Sequence, residues 1–155
     1  MADEMSIRDV ARSDFEQWLP LWEGYNAFYE RTGPAAVPIE VTKTTWARFF
    51  DAYEPVHALV AESGGRLVGM THYIFHRNTT MLGPTCYLQD LFTSADARGK
   101  GVGRALIRYM EALATERGCD NFTLDSGTQR QQAHKFYFRE GLTISAFHFS
   151  KALKK

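Results

Sequence analysis

A glycine-rich junction limits the fold of this chain more than any other part of its sequence. In RGKGVGRAL, residues 98–106, glycine occupies positions 99, 101 and 103. The preceding segment, CYLQDLF at residues 86–92, is typical of a central strand, and the following segment has the apolar spacing of a helix. Glycine allows positive φ angles and lets a ligand approach the backbone closely. The junction therefore predicts a strand and a helix joined by a binding loop.

This loop has the properties of an anion site. Backbone N–H groups at a helix start, together with the positive end of the helix dipole, attract phosphate or pyrophosphate. Arg98, Lys100 and Arg104 add three cations, although a glycine-rich turn carrying solvated charges is the alternative. A Walker loop requires GxxxxGK[ST] and a dinucleotide fingerprint requires GxGxxG, and neither string occurs in the chain. Nucleotide hydrolysis and hydride transfer are therefore disfavoured.

The rest of the chain alternates between strand-like and helical segments. Aromatic residues between positions 15 and 29 recur every three or four residues, which predicts a helix that Pro20 should kink or divide. We expect an α/β fold, a mixed and mostly antiparallel sheet of about six to seven strands flanked by about four helices, in a single domain over residues 1–155. Strands are expected at 5–10, 56–62, 66–76, 86–92, 121–125 and 142–149, and helices at 15–29, 42–53, 102–117 and 129–140.

Composition disfavours several classes of function. The chain has 155 residues with 18 basic and 18 acidic side chains, whereas a nucleic-acid binder needs a surplus of Lys and Arg. Its apolar runs are shorter than the roughly 20 residues of a membrane span, and its polar start is unlike a secretory signal. The five histidines and two cysteines lack metal-ligand spacing. We therefore expect a cytoplasmic protein with no metal, no nucleic-acid partner and no membrane association.

Two motifs together resemble those of the GNAT N-acetyltransferase superfamily. The run RGKGVG at residues 98–103 is similar to that family's pyrophosphate loop for acetyl-coenzyme A, [Gln/Arg]-x-x-Gly-x-[Gly/Ala]. The run AHKFYFREGL at residues 133–142 is similar to its second conserved block, A-x-x-[aromatic/aliphatic]-Y-x-x-x-G-F. The order of the predicted elements resembles the family's over nearly the whole chain. Residues 87–106 are also similar to the histone- and polyamine-acetylating branch.

The resemblance implies an acyl-CoA N-acyltransferase fold and an activity. An acetyl group would pass directly from acetyl-coenzyme A to a primary amine in a ternary complex, and the acceptor would be a small molecule or a lysine side chain. A homodimer is compatible with the family. The alternative is a catalytically silent sensor or interaction module that binds coenzyme A. An amine-panel assay beside a coenzyme-binding measurement separates these two functions.

The resemblance also implies specific contacts with the coenzyme. The backbone of Leu91, Phe92 and Thr93 would face the pantetheine arm and the thioester, where the strand over residues 87–93 separates from its neighbour at a bulge. The remaining implied contacts lie in the glycine loop and the second block, at Arg98, Gly99, Lys100, Gly101, Val102, Gly103, Arg104, Ala133 and Phe136.

Acetyl transfer also needs a proton donor for the leaving thiolate and a proton acceptor for the amine. Tyr137 occupies the family's tyrosine position in the second block and is the candidate acid, with aromatic packing as the alternative. Strict alternation places Asp90 on one sheet face with Leu88 and Phe92, and Gln89 on the other. A carboxylate in an apolar strand is costly unless it is paired or functional. Asp90 is therefore predicted to accept the amine proton, to anchor a cationic acceptor, or to form a structural ion pair.

Four further residues are candidates for contact with the acceptor. Tyr25 and Tyr29 lie on an aromatic and acidic helix that suits a cationic amine, although the same stripe suits core packing or a dimer face. His72, in the middle of a strand, is a candidate for the acceptor cleft, with sheet packing as its alternative. Gln89 stands where polyamine-acetylating relatives commonly carry Glu, and its amide cannot act as a base.

Overall fold

The structure is a computed structural model that describes residues 4–155. Its compact units divide between Thr123 and Leu124, and the expected single domain stays a prediction. Within the described residues there are five strands, β1 (Met5–Asp9), β2 (Val56–Ser63), β3 (Arg66–His76), β4 (Thr85–Thr93) and β5 (Asn121–Leu124), and four α-helices, α1 (Phe15–Phe28), α2 (Ile39–Arg48), α3 (Val102–Glu116) and α4 (Gln131–Arg139). The strands form one sheet in the order β1-β2-β3-β4-β5.

The first four strands pair antiparallel, each with the next in sequence. The predicted hairpin between β2 and β3 is confirmed, because Ser63 pairs with Arg66 across a two-residue turn. Gly64 and Gly65 both have positive φ angles, 58° and 75°, as a type I′ turn requires. Local turn chemistry therefore sets the register of these two strands.

Helices α1 and α3 cover opposite faces of the sheet. On one face Met70 of β3 belongs to the buried apolar cluster that Trp18 and Trp22 of α1 also form. On the other face the start of α3 lies so near β3 that a Cβ on Gly69 would be 2.6 Å from Cγ1 of Val102. Neighbouring positions of a strand point to opposite faces, so β3 separates the two helices.

A bulge in β4 corrects the predicted alternation. Asp90 pairs with His72, but the next pair joins Leu88 to Tyr73, so Gln89 is an extra residue without a partner in β3. Because His72 and Tyr73 point to opposite faces, Leu88 and Asp90 do so too, whereas the sequence placed them on one face. The bulge leaves Gln89 exposed and puts the carboxylate of Asp90 on the face covered by α1.

Strand β5 begins beside the start of β4. The backbone N–H of Asp120 donates to the carbonyl of Pro84 at 3.1 Å, and the Thr85 hydroxyl donates to Oδ1 of Asn121 at 2.6 Å. These contacts align the two strand starts, so the strands run parallel. With four residues beside the nine of β4, β5 accompanies only the first part of its neighbour.

The expected count of six to seven strands is too high, because residues 142–149 form no strand in the described chain. Ile144, Phe147 and Phe149 alternate loosely with polar residues but are 73%, 82% and 92% exposed. Such a pattern favours extended backbone, yet a strand forms only where a second strand supplies hydrogen-bond partners.

Two helix predictions also need correction. Pro20 does not divide α1, which runs from Phe15 to Phe28. Proline removes one backbone hydrogen bond, but the buried Trp18 and Trp22 on either side of it hold the helix against the sheet. Helix α2 covers 39–48 rather than 42–53, because Pro38 has the extended backbone of a residue that precedes a helix.

The unit after Thr123 contains α4, which ends as the sequence predicts. Gly141 has a φ of 90°, and the N–H of Leu142 donates to the carbonyl of Tyr137 at 3.0 Å, a glycine-terminated helix end. Asp125 and His148 of the same unit lie 3.0 Å apart, Oδ2 to Nδ1. In the described part of the chain, none of the helices has the length and apolar character needed to cross a membrane.

Candidate active site

The glycine loop is an open backbone surface at the start of α3. Gly99 and Gly101 have φ angles of 77° and 82°, which side chains rarely adopt. A Cβ at either position would have no atom of residues 4–155 within 4 Å, so the backbone angle requires glycine here and steric crowding does not. Val102 is buried and packs toward Gly69, so the loop is fixed to β3.

The first turn of α3 offers unused hydrogen-bond donors. The N–H groups of a first turn have no acceptor within their own helix. Gly101 stands at the N-cap without a side chain, and within residues 4–155 no side chain caps this turn and no acid lies in it. Arg98, Lys100 and Arg104 are exposed around it. The loop therefore combines backbone donors, a helix dipole and positive charge at one place.

The end of β4 leads directly into this loop. The Nε–H of Arg98 donates to the carbonyl of Thr93 at 3.3 Å, and its guanidinium lies 5.6 Å from the ring centre of Phe92. The Phe92 ring packs on α1 so closely that a Cβ on Gly24 would lie 2.8 Å from its Cζ. The predicted contact residues Leu91, Phe92 and Thr93 thus form a held strand end, beyond the part that β5 accompanies.

A chain of buried polar side chains crosses the face of the sheet covered by α1. The indole Nε1–H of Trp18 donates to Nε2 of His72 at 3.0 Å. On the other side of the same imidazole, Nδ1 lies 2.8 Å from Oδ2 of Asp90. The rings of Trp22 and Phe49 lie 5.5 and 4.8 Å from that of His72 and enclose it. Asp90 is therefore paired with an imidazole rather than with Lys or Arg.

Of the hydrogen-bonded pair His72 and Asp90, the carboxylate has the larger exposed fraction. The side chain of Asp90 is 10% exposed, against 2% for His72. Tyr25 reaches the same carboxylate from α1: burial, and then the charge of Asp90 and a hydrogen bond to it, raise the pKa of the Tyr25 hydroxyl. The hydroxyl therefore stays protonated as a donor. A molecule arriving from solvent would therefore meet Asp90 before His72.

A cation lies beside the two predicted tyrosines. The rings of Tyr25 and Tyr29 are 5.1 Å apart, and the guanidinium carbon of Arg31 lies 5.5 and 4.9 Å from their centres. The Nε–H of Arg31 donates to Oδ1 of Asn26 at 2.7 Å, which fixes the side chain at the end of α1. The structure thus brings Tyr25, His72 and Asp90 together, with Tyr29 adjacent.

Sequence reasoning missed Trp18 and Arg31 as parts of this site. Trp18 was one aromatic residue of a helical stripe, and nothing local marks it as a hydrogen-bond donor to a residue 54 positions away. Arg31 follows a helix in a glycine- and proline-containing segment and looks like a surface charge. Gln89, a predicted acceptor contact, is exposed at the bulge.

The second motif lies in the unit after Thr123. Tyr137 is half-buried on α4, with its ring 5.4 Å from that of Phe136, and Ala133 lies one turn earlier. Its role as an acid stays a prediction.

In the described residues, neither the two thiols nor the residue types that bind metals form a second candidate site. Burial raises the pKa of Cys86 to about 12 and also raises that of Cys119, which makes both thiols poor nucleophiles. From residue 4 onward, no three His, Cys, Asp or Glu side chains gather as metal ligands would.

Comparisons with known proteins agree with this geometry. The sequence model described as the acetyltransferase (GNAT) family matches residues 17–141. The D-amino-acid N-acetyltransferase of Saccharomyces cerevisiae is 32% identical over 118 residues, 75% of this chain and 71% of that protein. The aminoalkylphosphonate N-acetyltransferase of Salmonella typhimurium is 35% identical over 101 residues, 63% of this chain and 64% of its own length. The fold is similar to that of an aminoglycoside N-acetyltransferase crystallised with coenzyme A, with a TM-score of 0.84, 16% identity and coverage of 100% of this chain and 98% of that one.

Proposed function

The chain belongs to the acetyltransferase (GNAT) family, and we propose that it transfers the acetyl group of acetyl-coenzyme A directly to the primary amine of a small molecule. The observation that carries this proposal is the course of β4. One strand holds the Asp90 carboxylate in its middle and ends at the open helix start of α3. A donor phosphate site and an acceptor for the amine proton thus lie on one rigid element.

The donor is held by backbone groups. The residues of the loop fit a pyrophosphate, because the first turn of α3 is uncapped and nothing fills the space in front of Gly99 and Gly101. The backbone of Leu91 to Thr93, in the last part of β4, would hold the pantetheine arm, because it can donate and accept hydrogen bonds. Bound in this way, the coenzyme supplies an acetyl thioester, an activated acyl group whose leaving atom is sulfur.

The proton chemistry is divided between two residues. The amine nitrogen forms a bond to the thioester carbonyl carbon, and the carbon–sulfur bond breaks. The proton lost by the nitrogen goes to Asp90, directly or through water, and Tyr137 gives a proton to the departing thiolate. The partly exposed carboxylate of Asp90 and its lack of a Lys or Arg partner among the hydrogen bonds described above support its part in this scheme.

The acceptor is an amine that also carries an acidic group. The relatives described above act, by their names, on D-amino acids and on aminoalkylphosphonates, which share this feature. In this chain Arg31 lies beside Tyr25, and Tyr25 reaches Asp90. An acidic group at Arg31 and an amine at Asp90 would orient such a molecule. A lysine side chain, a homodimeric assembly and a cytoplasmic location remain predictions of the sequence.

The test is a panel assay of thiol release from acetyl-coenzyme A. Amino acids and aminoalkylphosphonates are compared with polyamines and aminoglycosides, and the products are identified by mass spectrometry. Calorimetry measures coenzyme A binding in parallel. We expect binding together with amine-dependent thiol release that is greatest with the acidic amines. Binding without release on any amine would instead support a catalytically silent coenzyme-binding module, and release with polyamines alone would contradict the acceptor class.

A further inference from the structure

Trp18 has an unusual position for a core residue. Its side chain is fully buried among Phe15, Trp46 and Phe49, where aromatic packing alone would suffice. An indole has one polar atom, the Nε1–H, and it can only donate. In this protein the indole N–H donates to Nε2 of His72, at 3.0 Å and out of contact with water.

This hydrogen bond determines where the imidazole carries its proton. An atom that accepts from an indole N–H needs a lone pair, so Nε2 of His72 is unprotonated. The single ring proton is then on Nδ1, which faces Oδ2 of Asp90 at 2.8 Å. With the other tautomer, Nε2–H would oppose the indole donor and a lone pair on Nδ1 would face the carboxylate.

We propose that Trp18 is a positioning residue for acetyl transfer: its indole N–H holds His72 as a permanent hydrogen-bond donor to Asp90. This inference rests on the proposed function, in which Asp90 accepts the amine proton. His72 occupies one carboxylate oxygen and fixes its orientation, and the remaining lone pairs receive the proton. His72 itself takes no part in proton transfer, because both of its nitrogens are occupied.

The groups around this pair leave Trp18 as the element that sets the tautomer. From α1 the pair meets Trp18, Trp22 and Tyr25, and Phe49 after α2 contributes only a ring. Tyr25 donates to Asp90, and the pKa of its hydroxyl is raised. The hydroxyl therefore stays protonated and does not take a proton from the imidazole. Tyr29 and Arg31 act on Tyr25 from farther away. Among these groups, only the indole of Trp18 addresses Nε2.

The first experiment measures the tautomer in the unmodified protein. Nitrogen-15 chemical shifts of the imidazoles distinguish protonated from unprotonated ring nitrogens, and the signal of His72 is identified by its loss in His72→Gln. We expect an unprotonated Nε2 and a protonated Nδ1 for His72 at pH 7. A protonated Nε2 at this pH would overturn the proposal, whatever the activity of the enzyme.

The second experiment compares two matched variants by pH profile. Trp18→Phe keeps an aromatic ring but removes the hydrogen-bond donor to Nε2, so that this nitrogen can itself bind a proton. An imidazolium beside Asp90 weakens it as a base. We expect kcat/KM for the acceptor to fall more steeply toward low pH in Trp18→Phe than in the wild-type protein.

Trp46→Phe is the control, because it also replaces an indole by a phenyl ring in this aromatic cluster, while among the ring contacts of the described residues Trp46 packs on Trp18 and Phe49 and not on His72. It should keep the shape of the wild-type profile, and both variants should bind coenzyme A normally. Identical profiles in the two variants would reduce Trp18 to core packing. If the wild-type protein transfers no acetyl group, the proposed function fails, and the tautomer measurement still decides whether Trp18 positions His72.

Discussion

The glycine loop and the Asp90 carboxylate lie on one continuous strand–loop–helix segment but are built in opposite ways. The loop is backbone almost alone, exposed, with positive φ angles at Gly99 and Gly101. The Asp90 carboxylate is 10% exposed and contacts the imidazole of His72, which in turn accepts a hydrogen bond from the indole of Trp18. In the proposed function, the first region would bind through backbone groups and the second through side chains from three separate elements, α1, β3 and β4.

This contrast separates two tasks, binding of the donor's pyrophosphate and chemistry at the acceptor amine. A pyrophosphate is recognised by N–H groups and positive charge, which any sequence can provide once glycine allows the backbone angles. In the proposed function the acceptor amine needs a carboxylate of defined orientation, which a strand alone cannot provide. Donor binding and acceptor chemistry should therefore respond independently to substitution.

The largest effect on donor binding is expected at the loop. Gly103→Glu places a side chain and a negative charge at the first turn of α3, where the pyrophosphate would bind. Loss of charge-assisted hydrogen bonds worth about 3 kcal/mol lowers coenzyme A affinity roughly 100-fold, measured by calorimetry. Ala112→Glu adds the same charge to an exposed position of the same helix and should leave the affinity unchanged. Equal affinities in the two variants would remove the loop from the donor site.

A second prediction tests whether the acid lies outside both regions. Tyr137→Phe removes only a hydroxyl, and loss of a general acid lowers turnover about 10²- to 10³-fold. Steady-state kinetics should give this fall in kcat with little change in the KM for acetyl-coenzyme A. Phe138→Leu, at the next position of α4, is the packing control and should keep turnover. If Tyr137→Phe retains more than about a third of the wild-type turnover, far short of that range, the thiolate takes its proton from another source.

The smallest effect is expected at Asp14, a second buried carboxylate whose role can be compared with the role proposed for Asp90. Asp14 accepts from both terminal nitrogens of Arg8, at 2.7 and 3.0 Å, and from the N–H of Ala11 at 2.7 Å. These hydrogen bonds, chiefly the one from Arg8, lower the pKa of Asp14. Its stabilisation is therefore present above the unfolded pKa of about 3.9 and is lost as pH falls through and below that value.

Asp14→Asn should lower the free energy of unfolding by about 1–2 kcal/mol at pH 7, measured by urea denaturation. The difference from wild type should shrink toward pH 3. Acetyl transfer at low temperature should remain normal, because Asp14 is fully paired with structural partners. A loss of activity without a loss of stability would contradict the structural role that we infer for Asp14 from its pairing with Arg8. The functional role inferred for Asp90 from its lack of such a partner would then lose support as well.

The same contrast explains what the sequence could predict. The hairpin at Gly64 and Gly65, the loop at Gly99 and Gly101 and the end of α4 at Gly141 all depend on local backbone angles that glycine permits. Such features can be predicted from neighbouring residues alone. The presence of four helices followed from short-range periodicity in the same way.

Features that depend on distant partners were not predictable. The bulge at Gln89 exists only relative to the register of β3, and it decides which face Asp90 occupies. The hydrogen bond from Trp18 to His72 joins residues 54 positions apart. Residues 142–149 have a strand-like composition, but composition cannot supply the neighbouring strand that pairing requires.

The most direct test of the division between donor and acceptor sites is Asp90→Asn, with coenzyme A affinity and acceptor kinetics measured on the same preparation. Asn keeps the size of the side chain but removes its charge. We expect unchanged coenzyme affinity and a fall in acetylation of about 10²-fold or more. A lost base is partly rescued at high pH, and a lost anchor raises the acceptor KM instead. Acceptor kinetics like those of the wild type across pH, or a parallel loss of coenzyme binding, would contradict the account.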